Sequence, residues 1–187
     1  MTGGFTTIGH STRTLDELLD MLREARVEIL VDVRSFPRSR TNPVFNIDTL
    51  PARLEELQIG YEHCRALGGR RTRQSGVDPH LNAGWRVQSF HNYADYALGD
   101  EFACAFGKLV ILGRERRLAL MCSEAVWWRC HRRIITDYLL LNGQEVDHLM
   151  GLGQTEPATP TPFARRTDAG KVIYPANAAQ IGSTRAP

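Results

Sequence analysis

Short apolar runs alternate with helical repeats along the first 150 residues, and that alternation predicts a fold. Phe5-Thr6-Thr7-Ile8-Gly9 reads as a first strand. Thr14 stands where an N-cap belongs, and Glu17 three residues on completes a capping box. Leu15, Leu18, Leu19 and Leu22 follow at helical spacing. Glu28 to Val33 reads as an apolar run broken by Asp32, the mark of a buried parallel strand. Pro51 suits a first helical turn, with Leu50, Leu54 and Leu57 giving that helix an apolar side. Ile59 to His63 predicts a third strand. Two helical pieces, Phe90 to Leu98 and Glu101 to Leu112, break at Gly99. Leu118 to Met121 predicts a fourth strand, Arg129 to Leu141 a helix, and Glu145 to Leu149 a fifth strand.

This order predicts an α/β fold: a three-layer sandwich on a mostly parallel sheet of about five strands, within one domain over residues 1–150. From Arg65 to Gln88 no period holds, and the glycines and prolines there mark a long loop. Past Met150 the composition turns to Gly, Thr and Pro. Residues 151–162 read as an extended connector. Phe163 to Thr167 and Lys171 to Tyr174 flank Asp168-Ala169-Gly170 as a small hairpin, and the last dozen residues as a mobile tail.

Composition narrows the class without choosing a function. A chain of 187 residues, 42% hydrophobic and 24% charged, is long enough for one compact core. No run nears the roughly 18 apolar residues a membrane helix needs, and no secretory leader is visible, so a cytoplasmic protein with reduced thiols is expected. A net charge of +2 does not by itself imply nucleic acid. The arginines nevertheless cluster, at Arg34, Arg38 and Arg40, at Arg65 to Arg73, and at Arg129, Arg132 and Arg133. Guanidinium suits bidentate contact with phosphate or carboxylate; a solvated basic face is the plainer reading.

Chemistry concentrates where the strands end. In a parallel sheet the carboxyl ends share one edge, and ligands bind there. His10 and Ser11 follow the first strand, Asp32 and Arg34 close the second, His63 and Cys64 the third, and Cys122 and Glu124 the fourth. Cys122, placed beneath a helix N-terminus and near arginines, is a candidate nucleophile with a lowered pKa. His131 is a candidate base, with Glu124 orienting it or acting as an acid. A buried Asp32 needs a partner, which Arg34 supplies at period two, so it is either an acid/base group or one half of a structural pair. Gly68-Gly69 before Arg70 suits an anion-binding turn. Arg38 and Arg132 complete the candidate anion contacts, and Trp85, Trp127 and Trp128 are candidate stacking surfaces or core. Six residues separate Cys122 from Arg129, where a thiol-phosphatase loop has five. Cys122 and Cys130 stand eight apart, without paired zinc spacing, and Cys130 and His131 would face different sides of a helix. Although Cys122, Cys130, His131, His10 and His63 offer enough soft ligands for zinc, this spacing leads to the expectation of no metal, and nothing in the sequence indicates a cofactor.

Taken together, Thr7-Ile8-Gly9-His10-Ser11, Val31-Asp32-Val33-Arg34-Ser35-Phe36-Pro37-Arg38-Ser39, Leu67-Gly68-Gly69, Trp85 with Phe90 and Tyr93, Cys122-Ser123-Glu124 through Cys130-His131-Arg132, and Val172-Ile173-Tyr174-Pro175 form an ordered set. In these the chain resembles the family catalogued as domain of unknown function 488, with Trp127-Trp128 standing where a proline belongs. The resemblance implies a fold group and shared residues, linked by analogy with nucleic-acid processing, but no established reaction. The Asp32-Val33-Arg34 strand end also looks like part of a rhodanese domain. The expectation is an enzyme acting on an anionic small molecule or nucleic-acid component. Its rivals are a non-catalytic nucleic-acid binding module and, more remotely, sulfur transfer. Nothing bears on oligomeric state.

Overall fold

The computed structural model describes residues 3–176. Five parallel strands form the body of the sheet: β1 (Gly4–Gly9), β2 (Ile29–Asp32), β3 (Gly60–His63), β4 (Arg117–Cys122) and β5 (Val146–Gly151). A sixth, β6 (Gln154–Pro157), pairs antiparallel with β5, giving the order β3-β2-β4-β1-β5-β6. The connector expected at 151–162 thus contains an edge strand. The reversal is tight: Gly151 pairs with Gln154, and Gly153 takes a φ of 64° that suits glycine.

Helices cover both faces. On one, α1 (Leu15–Glu24) and α2 (Leu50–Glu55) bury Leu18, Leu22, Leu50 and Leu54 against Ile8, Leu30, Ala119 and Met121. On the other, α3 (Gln88–Ala97), α4 (Asp100–Glu115) and α5 (Arg132–Leu141) cover Phe5, Val31, Leu118 and Leu120. Alternate β4 residues therefore feed opposite cores, as the period of two demands. The α1 cap forms as predicted in one direction: the Glu17 amide donates to Thr14 Oγ1 at 3.1 Å. The Glu17 carboxylate lies instead 3.5 Å from Arg13.

A two-stranded hairpin, β7 (Arg165–Arg166) and β8 (Val172–Ile173), turns at Gly170. It is packed into the body: Val172 and Tyr174 are fully buried, and the Tyr174 hydroxyl donates to Asp137 at 3.0 Å. The tail expected over the last dozen residues lies, but for its first residue, outside the described residues. No helix among the described residues is long and apolar enough to cross a membrane.

Candidate functional site

Parallel strands carry their carboxyl ends to one edge, and there a cleft of about 980 Å³ opens. Its floor is the junction after β4. Two close approaches set its shape. A Cβ at Gly9 would run into the Glu124 backbone, so the β4 loop folds directly over the end of β1. Ser11 follows with a φ of 41°, unusual for a residue with a side chain. Its amide donates to the Ser123 carbonyl at 2.9 Å, and its carbonyl accepts from Asn42 Nδ2 at 3.0 Å. Three loops are thereby stitched around the opening.

Eight of the eleven residues nominated from sequence line this cleft: His10, Ser11, Arg34, Arg38, Gly69, Cys122, Glu124 and His131. Three do not. Asp32 is 0% exposed, behind Arg34 rather than in the opening. Arg34 donates to both carboxylate oxygens, at 2.8 Å from Nε and 2.5 Å from Nη2, and Tyr61 adds its hydroxyl at 2.7 Å. Gly68 is buried against Ser35. Arg132, 1% exposed, runs beneath the floor, where Nη2 donates to the Glu124 carbonyl at 2.5 Å and Nε to Cys130 Sγ at 3.4 Å. It braces the loop from below. His63, whose Nε2 lies 2.8 Å from the Arg34 carbonyl, and Cys64 do not line this cleft; both line a separate cavity of about 450 Å³ beside α4.

His10 is buried and stacked on Phe45, with ring centroids 4.4 Å apart. Burial, then the charge of Arg34, push its pKa down to about 4, so the ring is neutral. Since Arg34 Nη1 is a donor 3.2 Å from Nε2, that nitrogen accepts and Nδ1 carries the hydrogen. Arg38 reaches the rim but pairs with exposed Asp48, with Nη2 donating to Oδ1 at 2.9 Å.

The floor differs from its sequence reading in one consequential way. The helix after β4 begins at Arg132, not Arg129. A 3-10 turn (Trp127–Arg129) precedes it, and Cys130 is extended, with φ −122° and ψ 147°. Cys130 and His131 are therefore not on opposite helix faces. His131 Nδ1 lies 3.5 Å from Cys130 Sγ and 3.9 Å from Cys122 Sγ, while Nε2 faces the Val33 carbonyl at 3.0 Å. The thiol at the helix N-terminus is Cys130, whose sulfur accepts from the Arg132 amide at 3.5 Å. Burial opposes a thiolate there. The Cys122 thiol beside it and the Arg132 charge and amide outweigh burial, and the pKa falls to about 6. Cys122 is pushed the other way, to about 12, by the neighbouring Cys130 thiol and by burial. Cys122 is the thiol that the sequence offers for a lowered pKa; the amide and guanidinium of Arg132 reach Cys130 Sγ instead.

Phe36, Arg70 and Arg129 also line this cleft; the sequence places Arg70 in a candidate anion-binding turn and Arg129 in an arginine cluster, but gives Phe36 no role. Phe36, 60% exposed, lies on its wall with the Arg70 guanidinium 5.4 Å from the ring centroid. An aromatic residue between Ser35 and Pro37, in a stretch whose prolines mark it as loop, is the signal the sequence offers. Arg129 lines the opening with no carboxylate partner among the described residues.

A family model described as domain of unknown function DUF488 matches residues 14–139, more than half of the chain. No curated protein and no solved structure gives a match. The chain belongs to the DUF488 family.

Proposed function

For this DUF488 member we propose an enzyme acting on an anionic, nucleotide- or nucleic-acid-related substrate in the cleft at the carboxyl ends of β1, β2 and β4. One observation carries the reading: a single opening joins a thiol–imidazole floor to a wall that is both cationic and aromatic. Each part suits a different portion of such a ligand. Arg70 and Arg129 supply guanidiniums to phosphate or carboxylate oxygens. Phe36 offers a face to a base, with Arg70 beside it. Neutral His10 and the Ser11 turn shape the inner end, where Arg34 is held in place by Asp32. Cys122, Cys130 and His131 are the reacting groups, and the Glu124 carboxylate at the exposed rim is the acid/base candidate.

The arginine and aromatic wall alone would equally serve a non-catalytic binding module, and one pair of measurements separates the two. Nucleotides and short single-stranded oligonucleotides are screened for binding and for turnover. Cys130→Ser and His131→Gln are expected to cut turnover by at least about 100-fold while substrate affinity is retained. Arg129→Ala and Arg70→Ala are expected to weaken binding and to lower its salt dependence, each by up to about one unit in log–log slope. Salt-sensitive binding without any turnover, unchanged by the thiol and imidazole substitutions, would replace the enzyme with the binding module.

A further inference from the structure

The floor of the cleft is also the only cluster of three or more metal-ligating side chains among the described residues. Cys122 Sγ, Cys130 Sγ and His131 Nδ1 all lie within 4.8 Å of one another. A tetrahedral zinc ion, with Zn–S near 2.3 Å and Zn–N near 2.0–2.1 Å, sets sulfur and nitrogen about 3.5 Å apart. The two sulfur-to-nitrogen separations are 3.5 and 3.9 Å. One therefore already fits an edge of the tetrahedron, and the other is longer by a few tenths of an ångström.

Independent features point the same way. His131 Nε2 faces the Val33 carbonyl, an obligate acceptor, at 3.0 Å, so the ring hydrogen is there and the Nδ1 lone pair is left facing the sulfurs. A metal-bound imidazole is ordinarily held in this way, with its second nitrogen donating to a carbonyl or carboxylate. Gly69 packs directly on the ring and leaves room for it only by lacking a side chain, since a Cβ there would overlap Nδ1 and Cγ. Among the described residues no nitrogen or oxygen side chain lies within hydrogen-bonding distance of Nδ1; its neighbours are the two sulfurs. Two thiols and an imidazole form a soft set, suited to zinc and ill suited to magnesium or calcium.

We propose that Cys122, Cys130 and His131 bind a zinc ion whose fourth position opens into the cleft. Three protein ligands with one open position is the pattern of catalytic rather than structural zinc. Such an ion acidifies a bound water or polarises a substrate oxygen. That consequence rests on the cleft being the reaction site; the ligand set itself does not. Both thiols bind as thiolates, so their protons pass to solvent when the metal enters.

The test uses cobalt(II) as a spectroscopic stand-in and zinc in competition, on the reduced full-length chain. One equivalent of cobalt is expected to give thiolate-to-metal charge-transfer absorption and the visible bands of a tetrahedral centre, both lost on adding zinc. Cys122→Ser and His131→Gln are expected to weaken zinc binding by more than about 100-fold, since changes outside the ligands alone cost about 10–100-fold. Cys104→Ser, at an exposed thiol on α4, leaves it unchanged. In the unsubstituted chain, zinc is expected to protect Cys122 and Cys130 from alkylation, read peptide by peptide, but not Cys104. That readout decides the matter even where a variant misfolds. Absence of the cobalt charge-transfer band, or equal alkylation of all four cysteines with and without zinc, would overturn the site. The cleft would then still stand as a metal-free thiol centre, whereas metal binding without any turnover would overturn the enzyme and leave the site.

Discussion

The ends of β2 and β4 are neighbours in the sheet and both carry reactive side chains, yet they are built in opposite ways. At the end of β2, every charge is answered: Asp32 accepts from the Arg34 guanidinium, from the Arg34 amide at 3.0 Å and from Tyr61, and the remaining Arg34 donors reach His10 and the Phe45 carbonyl. At the end of β4, two thiols and one imidazole face one another, and the remaining contacts of the sulfurs lie at 3.4 Å or beyond. A completed network in a buried site holds a shape; groups with spare bonding capacity at the mouth of a cleft are available to a ligand. The difference separates scaffold from chemistry more reliably than residue type, since a carboxylate and a guanidinium look as catalytic as a thiol does.

The largest effect follows from the completed side. Asp32→Ala leaves the Arg34 guanidinium buried without its counter-ion, and the expected loss of stability is about 3–5 kcal/mol. Cys122→Ser changes one sulfur to oxygen beside a soft neighbour, and its cost is expected near 1 kcal/mol. Chemical denaturation of both variants at neutral pH measures the contrast. If Asp32→Ala unfolded with the same midpoint as the parent chain, the β2 end would not be the scaffold described.

Sequence pattern exposes the sheet because burial writes itself into periodicity. Leu118 to Met121 reads as a strand between two apolar layers, and its alternate residues do feed the two cores, while Leu18 and Leu22 share one of them. Convergence of the strand ends follows from parallel order, and so the cleft was foreseeable. The fates of Asp32 and Arg132 were not. Whether a charged side chain lines an opening or braces it from behind depends on neighbours distant in sequence: Tyr61 for Asp32, and for Arg132 the Thr7 hydroxyl, 3.5 Å from Nη1. The start of α5 was hidden for another reason. Ile134, Ile135, Tyr138 and Leu139 constrain the helix only downstream, so nothing in the pattern marks Cys130 as extended, and that one residue's conformation brings it to His131. The Gly151–Gln154 reversal is equally brief, two loop residues in a stretch otherwise rich in Thr and Pro.

A second buried histidine gives the next effect. His148 on β5 is 1% exposed and stacks on Trp127 at 4.4 Å, and its Nδ1 lies 2.7 Å from Thr7 Oγ1. Burial, then the charge of Arg132, lower its pKa to about 4 from 6.5. A depressed histidine pKa means that the unfolded chain binds the proton more tightly, so stability is intact above about 6.5 and falls as pH drops toward 4. Over that window the loss is about 3 kcal/mol at most for this one ring, at about 1.4 kcal/mol per pH unit. His10 adds a loss of the same sign. The expected signature is a denaturation midpoint that falls between pH 7 and 4.5 by clearly less in His148→Gln than in the parent chain. An equal fall in both would show that the proton enters elsewhere.

The smallest expected change tests how the β4 floor is held. Gly69→Ala places a methyl on the His131 ring, with Nδ1 and Cγ both closer than any ordinary contact. Either the loop after Gly68 shifts or the ring turns and gives up its bond to the Val33 carbonyl, and overpacking of this kind costs about 1–3 kcal/mol. Gly107→Ala, in the middle of α4 with nothing near its Cβ, is expected instead to gain about 0.5–1 kcal/mol, because glycine is a poor helix former. Imidazole nitrogen shifts of His131 distinguish the two responses, since they report which ring nitrogen carries the hydrogen. A changed His131 signal in Gly69→Ala alone means that the glycine pins the imidazole against Val33. An unchanged signal means that the loop yields, and that His131 is held from the β2 side without help from the loop.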